Sequence, residues 1–328
     1  MTIRLFIAMM AIAAIVAGCS TAKSNYEEID FADALTADPD TFQLDVLMWP
    51  SGMKATGGNL VVQNMKRDTI FDLFTLPDVV YSGSGIIKGS GPDEVIAALP
   101  LSLNRGFQSG QLTFSSGLPS QVAVMRVPGF RITDNRRHEM PDGWVGEQNM
   151  MLLCGDTVLA QQFTLPLDWI IVDGTGNVVT TLDIPMPDDI KTAAGNDERA
   201  RMMSRTAYAV PLPDRSRFAI CTRVYPSVSI FDREGRNITT LTMPYAPVLK
   251  GNYITSCDAN EQGIYLVYHD VEKGMDDGYV IAAIDWNGNL MKAYNVPGPI
   301  GAVTVDDESN AVYFTGDGYD NCIYRVNL

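Results

Sequence analysis

Ile170-Ile171-Val172-Asp173-Gly174-Thr175-Gly176-Asn177-Val178-Val179 reads as strand, tight turn, strand. The same pattern returns as Ile230-Phe231-Asp232-Arg233-Glu234-Gly235-Arg236-Asn237-Ile238 and as Ala283-Ile284-Asp285-Trp286-Asn287-Gly288-Asn289-Leu290. Each copy has apolar or β-branched residues, Asp, two spacer residues, Gly, then Asn or Arg and more apolar residues. Asp hydrogen-bonds the backbone of its own turn, and Gly takes the positive φ that side chains resist. One hairpin repeated about every 50 residues is the signature of a β-propeller.

Working outward, Thr69-Ile70-Phe71-Asp72-Leu73-Phe74 has the same strand-Asp form, and the segments around Arg126 and Arg325 are degenerate copies. Taking Asp72, Arg126, Asp173, Asp232, Asp285 and Arg325 as equivalent gives gaps of 54, 47, 59, 53 and 40 residues, hence six blades. The 59-residue gap holds Asp189 to Ser204, read as a short helical insertion. The runs Leu60-Val61-Val62, Ile264-Tyr265-Leu266-Val267-Tyr268 and Ala311-Val312-Tyr313-Phe314 are apolar without alternation. They suit the second strand of a blade, covered on both faces. Only Val326, Asn327 and Leu328 follow Arg325, so the last blade lacks an outer strand. Gln43-Leu44-Asp45-Val46-Leu47-Met48 is expected to supply it, closing the ring and removing two open sheet edges. The fold class expected is all-β, a six-bladed β-propeller.

The chain has 328 residues, 46% hydrophobic, with a formal charge of -15. A closed all-β array of this length can be one domain. The negative balance argues against nucleic acid as a partner, because phosphate binding needs a basic face. At the N-terminus Arg4 precedes the apolar run Leu5 to Val16, which is too short to span a bilayer, and Val16-Ala17-Gly18-Cys19 follows. These residues resemble the lipobox of bacterial lipoproteins. That resemblance implies cleavage before Cys19, acylation of Cys19, and stable anchoring through more than one acyl chain. The divisions expected are a signal peptide over 1–18, an acidic tether over 19–42, and the propeller over 43–328. Ser20 after Cys19 carries no Asp-type retention signal, which favours the outer membrane, at its periplasmic face or the cell surface.

Gly89-Ser90-Gly91-Pro92-Asp93-Glu94 follows the outer strand Val79 to Ile87 of the first blade. Together with Gly58-Asn59-Leu60-Val61-Val62 and Ile70-Phe71-Asp72-Leu73, this loop resembles the TolB-like six-bladed propeller lipoproteins of Bacteroidetes over residues 58 to 96. Gly89 and Gly91 allow a sharp exit from the strand, Pro92 fixes φ, and Glu94 is placed to accept backbone N–H groups. Phe74-Thr75-Leu76-Pro77 departs from the pattern by lacking the turn Gly. The resemblance implies a lipid-anchored envelope protein and no reaction.

No nucleophile elbow, His-Glu-x-x-His or phosphate loop is present, and no catalytic, cofactor or metal residue is assigned. His138 sits in the charged run Asn135-Arg136-Arg137-His138-Glu139, and His269 follows Val267-Tyr268; both read as surface or structural. Asp306-Asp307-Glu308 and Asp317-Gly318-Tyr319-Asp320-Asn321 are the loops from which a hard cation would draw ligands, and the favoured reading is that they make turns and a solvated surface. Arg199, Arg201 and Arg205 form the densest basic run, read as a solvated face. Of the tryptophans, Trp144 is expected to be the most exposed; Trp169 and Trp286 are expected to pack. Of Cys154, Cys221, Cys257 and Cys322, Cys154 and Cys221 lie in apolar strand runs and read as small buried hydrophobes, and no disulfide connectivity is legible. The favoured function is a binding or scaffold module for a protein, peptide or glycan. The alternative is a metal-assisted, lactonase-like hydrolase or glycan-acting enzyme using the central channel.

Overall fold

The computed structural model describes residues 26–47, 49–91, 94–99, 102–116, 120–144, 146–162, 168–186, 205–244, 253–274, 278–316 and 321–328. Of the described residues 57% are strand and 2% helical, and the sheets form a ring of six. Three short strands come first: β1 (Tyr26–Glu28), β2 (Leu35–Thr36) and β3 (Asp40–Gln43). Blade one is β4 (Pro50–Thr56), β5 (Asn59–Asn64), β6 (Thr69–Thr75), β7 (Val80–Lys88) and a parallel addition, β8 (Glu94–Val95). Blade two is β9 (Asn104–Arg105), β10 (Gln111–Ser115), β11 (Gln121–Arg126) and β12 (Arg131–Arg137). Blade three is β13 (Glu147–Cys154), β14 (Thr157–Gln162), β15 (Trp169–Val172) and β16 (Val178–Thr181). Blade four is β17 (Ala207–Pro211), β18 (Arg217–Thr222), β19 (Ser227–Asp232) and β20 (Asn237–Thr242). Blade five is β21 (Tyr253–Ala259), β22 (Gly263–His269), β23 (Tyr279–Asp285) and β24 (Leu290–Val296). Blade six is β25 (Val303–Asp306), β26 (Ala311–Thr315) and β27 (Cys322–Asn327), completed by β3.

The core is divided among the seams between blades, and period-two alternation explains how. On β22, Ile264, Leu266 and Tyr268 pack toward blade four, while Tyr265 and Val267 pack toward blade six. On β5, Leu60 and Val62 face blade six and Val61 faces blade two. On β26, Val312 and Phe314 face blade five, and Ala311 and Tyr313 face blade one. Successive side chains leave a strand on opposite sides, so a strand sandwiched between two blades must be apolar at every position. Among the described residues six apolar clusters, one per seam, close the ring.

The three Asp hairpins all join third to fourth strands. In each, the Asp N–H donates to the carbonyl four residues on, and the Gly N–H returns to the Asp carbonyl at 3.0–3.1 Å. Asp285 Oδ1 also accepts the Asn287 and Asn289 N–H groups at 2.8 Å. Gly176, Gly235 and Gly288 have φ of 85°, 84° and 94°, the left-handed residue that a three-residue hairpin loop requires. Asp72 and Arg325 are corrections to the repeat alignment. Asp72 lies inside β6, buried, and its carboxylate takes Arg67 at 2.8 Å and Asn64. Arg325 lies inside β27 and pairs with Asp40 at 2.6 Å.

Closure is by an N-terminal strand, three residues earlier than expected. Gln43, Phe42, Thr41 and Asp40 pair with Cys322, Ile323, Tyr324 and Arg325. The expected strand over 43–48 is corrected because Leu44 to Leu47 turns (Leu47 N–H to Leu44 O, 3.1 Å) and packs into the seam between blades six and one. The chain must cross there from an outer edge to the inner strand β4. A second correction concerns the tether. From Tyr26 onward the acidic segment lies on the ring: β1 runs parallel to β20, and β2 parallel to β24. Phe31, the large apolar residue between them, is buried in the seam of blades four and five, 5.0 Å from the Tyr268 ring. Edge strands leave unpaired N–H and C=O groups, and the segment satisfies them on three successive blades. Residues 1–25, including Cys19, and the expected helix over 189–204 lie outside the described residues.

Candidate functional site

The innermost strands bring four charged side chains together where they leave the channel. Lys54 of β4 and Asp258 of β21 are buried, and Lys54 Nζ meets Asp258 Oδ1 at 2.7 Å. Arg105, ending β9, reaches Asp258 Oδ2 at 3.4 Å and Asp307 Oδ2 at 2.8 Å, and donates to the Val305 carbonyl. Thr304 Oγ1 donates to Asp258 Oδ2 at 2.5 Å and accepts the Ala55 N–H at 2.9 Å; the Val305 N–H adds a bond to Asp258 at 3.1 Å. Asn260 donates to Asp307 Oδ1 at 2.7 Å. Arg215 donates to the Arg105 carbonyl and stacks over Phe107 at 4.9 Å. Blades one, two, four, five and six therefore all contribute.

The electrostatics follow from burial against pairing. Burial opposes the Asp258 carboxylate, yet Lys54 and Arg105 outweigh it and hold its pKa below the usual range. Burial opposes the Arg105 charge too, and Asp258 and Asp307 overcome it, so its pKa is raised. Arg215 lacks such a carboxylate against its guanidinium, and burial brings its pKa down to about 10 against the opposing pull of Asp214. Two carboxylates meeting two cations make a lock between blades, with its hydrogen-bonding capacity turned inward.

The sequence candidates are scattered around this lock. In Asp306-Asp307-Glu308, Asp307 belongs to it, and Asp306 accepts the Ser309 N–H at 2.9 Å and Oγ at 2.6 Å, a turn. Residues 317–320 lie outside the described set, and among the described residues no three His, Cys, Asp or Glu side chains come together as a metal group. Glu94 Oε2 accepts the Gly91 N–H at 2.8 Å, and a Cβ on Gly89 would meet that oxygen at 2.1 Å. Gly89, Gly91 and Glu94 thus shape the exit from β7; Pro92 is outside the described residues. Arg205 pairs with Asp168 at 3.0 Å, and Arg199 and Arg201 are not described.

His269 is buried, stacked on Tyr279 at 4.1 Å and edge-on to Tyr253 at 5.1 Å. His138 is also buried, which fits the structural of the two expected readings, and burial lowers its pKa, partly countered by a hydrogen bond to the Asp156 backbone. Trp144 packs against the seam of blades two and three, whereas Trp49 is exposed with Lys66 Nζ 4.1 Å over its ring, reversing the expected order. Trp169 and Trp286 are buried as expected. Cys154, Cys221, Cys257 and Cys322 form no disulfide with one another; Cys221 is buried as expected, whereas Cys154, at the end of β13, is exposed, a correction to its expected burial. Burial, with Cys221 beside it, raises the Cys257 pKa well above the usual thiol value.

Among the described residues, cavities accompany these groups. The channel itself encloses about 80 Å³ between the inner strands, with the Ser51 and Thr255 hydroxyls lacking partners. A cavity of about 580 Å³ lies between blades three and four beside Trp169 and Arg205. One of about 350 Å³ lies between blades two and three, beside His138, Arg136 and Phe107.

Sequence reasoning missed Lys54, Arg105 and Asp258 because they come from different blades and share no spacing. The available signal was a single charge inside an apolar inner strand, as in Met53-Lys54-Ala55 and Cys257-Asp258-Ala259. A buried charge demands a partner, so each implied another.

No protein-family model matches the chain, and no curated protein matches it significantly. Among solved structures the chain is similar to a member of the DUF4221 family from Bacteroides vulgatus, with a TM-score of 0.61 and 12% identity over 89% of this chain and 96% of that one. It is also similar to a Bacteroides fragilis protein described as exported, with a TM-score of 0.55 and 11% identity over 92% of this chain and 98% of that one. At these identities the likeness is one of fold, and it spans nearly the whole of each partner; the narrower TolB-like resemblance rests on residues 58 to 96.

Proposed function

We propose that this chain is a lipid-anchored cell-envelope protein whose propeller serves as a rigid binding or scaffold module. The observation that carries this reading is the Lys54–Asp258–Arg105–Asp307 network. It commits the carboxylates at the centre of the ring to neighbouring blades, which leaves the seams and outer edges as the surfaces for a partner. The N-terminal segment supports it as well. A lipid on Cys19 would connect, within a few residues, to strands laid on the edges of blades four, five and six. Likeness to an exported Bacteroides protein and the TolB-like first-blade loop agree with an envelope location, most simply the outer membrane. The partner is a glycan, peptide or protein, and the charge of -15 disfavours nucleic acid.

The test is palmitate labelling with membrane fractionation of the parent and of Cys19→Ser. The parent is expected in the membrane fraction and labelled, the variant neither; a labelled variant or a soluble parent overturns the anchor. Calorimetric titration with calcium tests the binding module against the hydrolase. A saturable site abolished by Asp258→Asn would favour the enzyme.

A further inference from the structure

We infer that the rim of the ring formed by the Asp hairpins of blades three, four and five rests on the surface of a lipid bilayer; this deepens the lipid-anchored reading and rests on it. The rim is built by repetition. In each of these blades the turn end of the fourth strand carries apolar residues that stand in solvent. They are Val178 and Val179, Ile238, and Leu290 and Met291, between 36% and 57% exposed.

The three sites adjoin. A Cβ on Gly235, in the turn of blade four, would come within 2.7 Å of Thr180 on the outer strand of blade three. One on Gly288, in the turn of blade five, would come within 2.9 Å of Thr239 on the outer strand of blade four. Each turn thus leans on the outer strand of the blade before it, and the exposed apolar side chains form one arc. Single exposed apolar residues are ordinary, whereas a contiguous patch marks a surface that meets a protein or a membrane.

The N-terminal segment decides for the membrane. Among the described residues β1 and β2 pair with only the far ends of β20 and β24, at Thr240–Thr242 and Tyr294–Asn295. The turn ends stay exposed. β1 runs parallel to β20, so its direction, followed back from Tyr26, leads to the turn end of blade four. Tyr26 is level with Thr240, three residues or about 10 Å from Asn237 at that end. Seven residues, Cys19 to Asn25, precede Tyr26. They reach at most about 24 Å, so along this direction a lipid on Cys19 is leashed within about 14 Å of the rim. Acyl chains inserted in the bilayer on so short a leash bring the hairpin face, and the arc on it, against the headgroups.

Charge does not oppose this contact. The segments 173–181, 232–239 and 285–292 hold four acidic and three basic residues, in a chain whose formal charge is -15. Asp173, Asp232 and Asp285 each accept a backbone N–H of their own turn. Arg236 and Lys292 are exposed beside the apolar arc, where long cationic side chains lie along apolar surface and reach headgroup phosphates. The opposite face, which carries the turns between second and third strands, is then turned away from the membrane and open to a partner.

The experiment places one fluorescent label on the acylated full chain in phosphatidylcholine–phosphatidylglycerol vesicles, in a Cys154→Ser background. Labels go to Val179→Cys, Ile238→Cys and Met291→Cys on the rim, and to Glu272→Cys, exposed at the opposite end of blade five. A headgroup-bound spin-label quencher is expected to quench the three rim labels severalfold more than the label at Glu272. Flotation of the vesicles reads the anchor independently. Protein that floats with all four labels equally quenched overturns the inference and leaves the anchored-module reading standing; protein that does not float overturns both. The Cys19→Ser form of each rim variant is read without vesicles. Rim labels open to iodide there support the inference. Rim labels that become shielded as protein concentration rises assign the arc to a second copy of the chain and overturn it.

Discussion

Lys54 and Asp258 stand 204 residues apart in sequence and meet at 2.7 Å across the centre of the ring. Asp258 has no other fully formed ion pair this short, since Arg105 approaches it at 3.4 Å. Replacing Lys54 with Met leaves a buried carboxylate with a poorer partner. The expected loss is about 3–5 kcal/mol, the range for breaking a buried pair. Denaturant unfolding of Lys54→Met, Asp258→Asn and the double variant checks this. The double variant should lose less than the sum of the singles.

Two groups should give the stability profile two separate pH windows. The folded-state pKa of His138 lies below the ordinary 6.5, so the unfolded chain takes up the proton first as pH falls. Stability from this group is complete above pH 6.5 and declines as pH drops below it. The Asp258 pKa is held below the ordinary 3.8, so its contribution is present above that value and is lost as pH falls through the folded pKa. Denaturant midpoints measured from pH 8 to 2 should therefore fall in two steps. His138→Gln should remove the upper step and leave the lower.

The hairpins that revealed the fold should be locally costly to disturb. Gly288 holds φ of 94°, and an added Cβ would meet Thr239 at 2.9 Å. Gly288→Ala is expected to cost roughly 1–2 kcal/mol, from forcing an L side chain into the left-handed region. Asp285→Ala should cost about 1 kcal/mol through two lost backbone hydrogen bonds near the surface. Thermal unfolding of both variants checks the order. Asp285→Asn, which keeps an acceptor oxygen, should sit between Asp285→Ala and the parent.

These variants also mark what was legible in the sequence. Asp and Gly in the turns after β15, β19 and β23 act on their own backbone, so their pattern is local and readable. The apolar runs of β5, β22 and β26 were readable for the same reason, because covering both faces of a strand leaves no polar alternation. The register of closure was not. Leu44, Val46 and Leu47 look like strand residues, and only the need to cross from blade six to blade one makes them turn. The acidic residues from Glu27 to Asp40 looked like a free linker because edge pairing is made by backbone groups, which composition does not reveal. The central lock was the least legible part, since Lys54, Arg105 and Asp258 become neighbours only when the ring closes.

Thiol chemistry should report the burial pattern. Cys154 is exposed, while Cys221, Cys257 and Cys322 are buried. Of these four, only Cys154 should react with a maleimide in the folded protein, and the other three should react once denaturant is added. Peptide mass spectrometry assigns the labelled positions. Native labelling of Cys257 would contradict its place in the seam between blades four and five.

The account depends most on the pairing of β3 with β27. Gln43 lies directly opposite Cys322, with Cys322 Sγ 3.1 Å from Gln43 Oε1. Residues directly opposite in an antiparallel pair are close enough for a disulfide. The decisive measurement is disulfide mapping of the oxidised Gln43→Cys variant by peptide mass spectrometry. A 43–322 cross-link formed in the folded protein, lost when unfolding precedes oxidation, is the predicted result. Free thiols at both positions in folded, oxidised protein would contradict the closure and the ring with it.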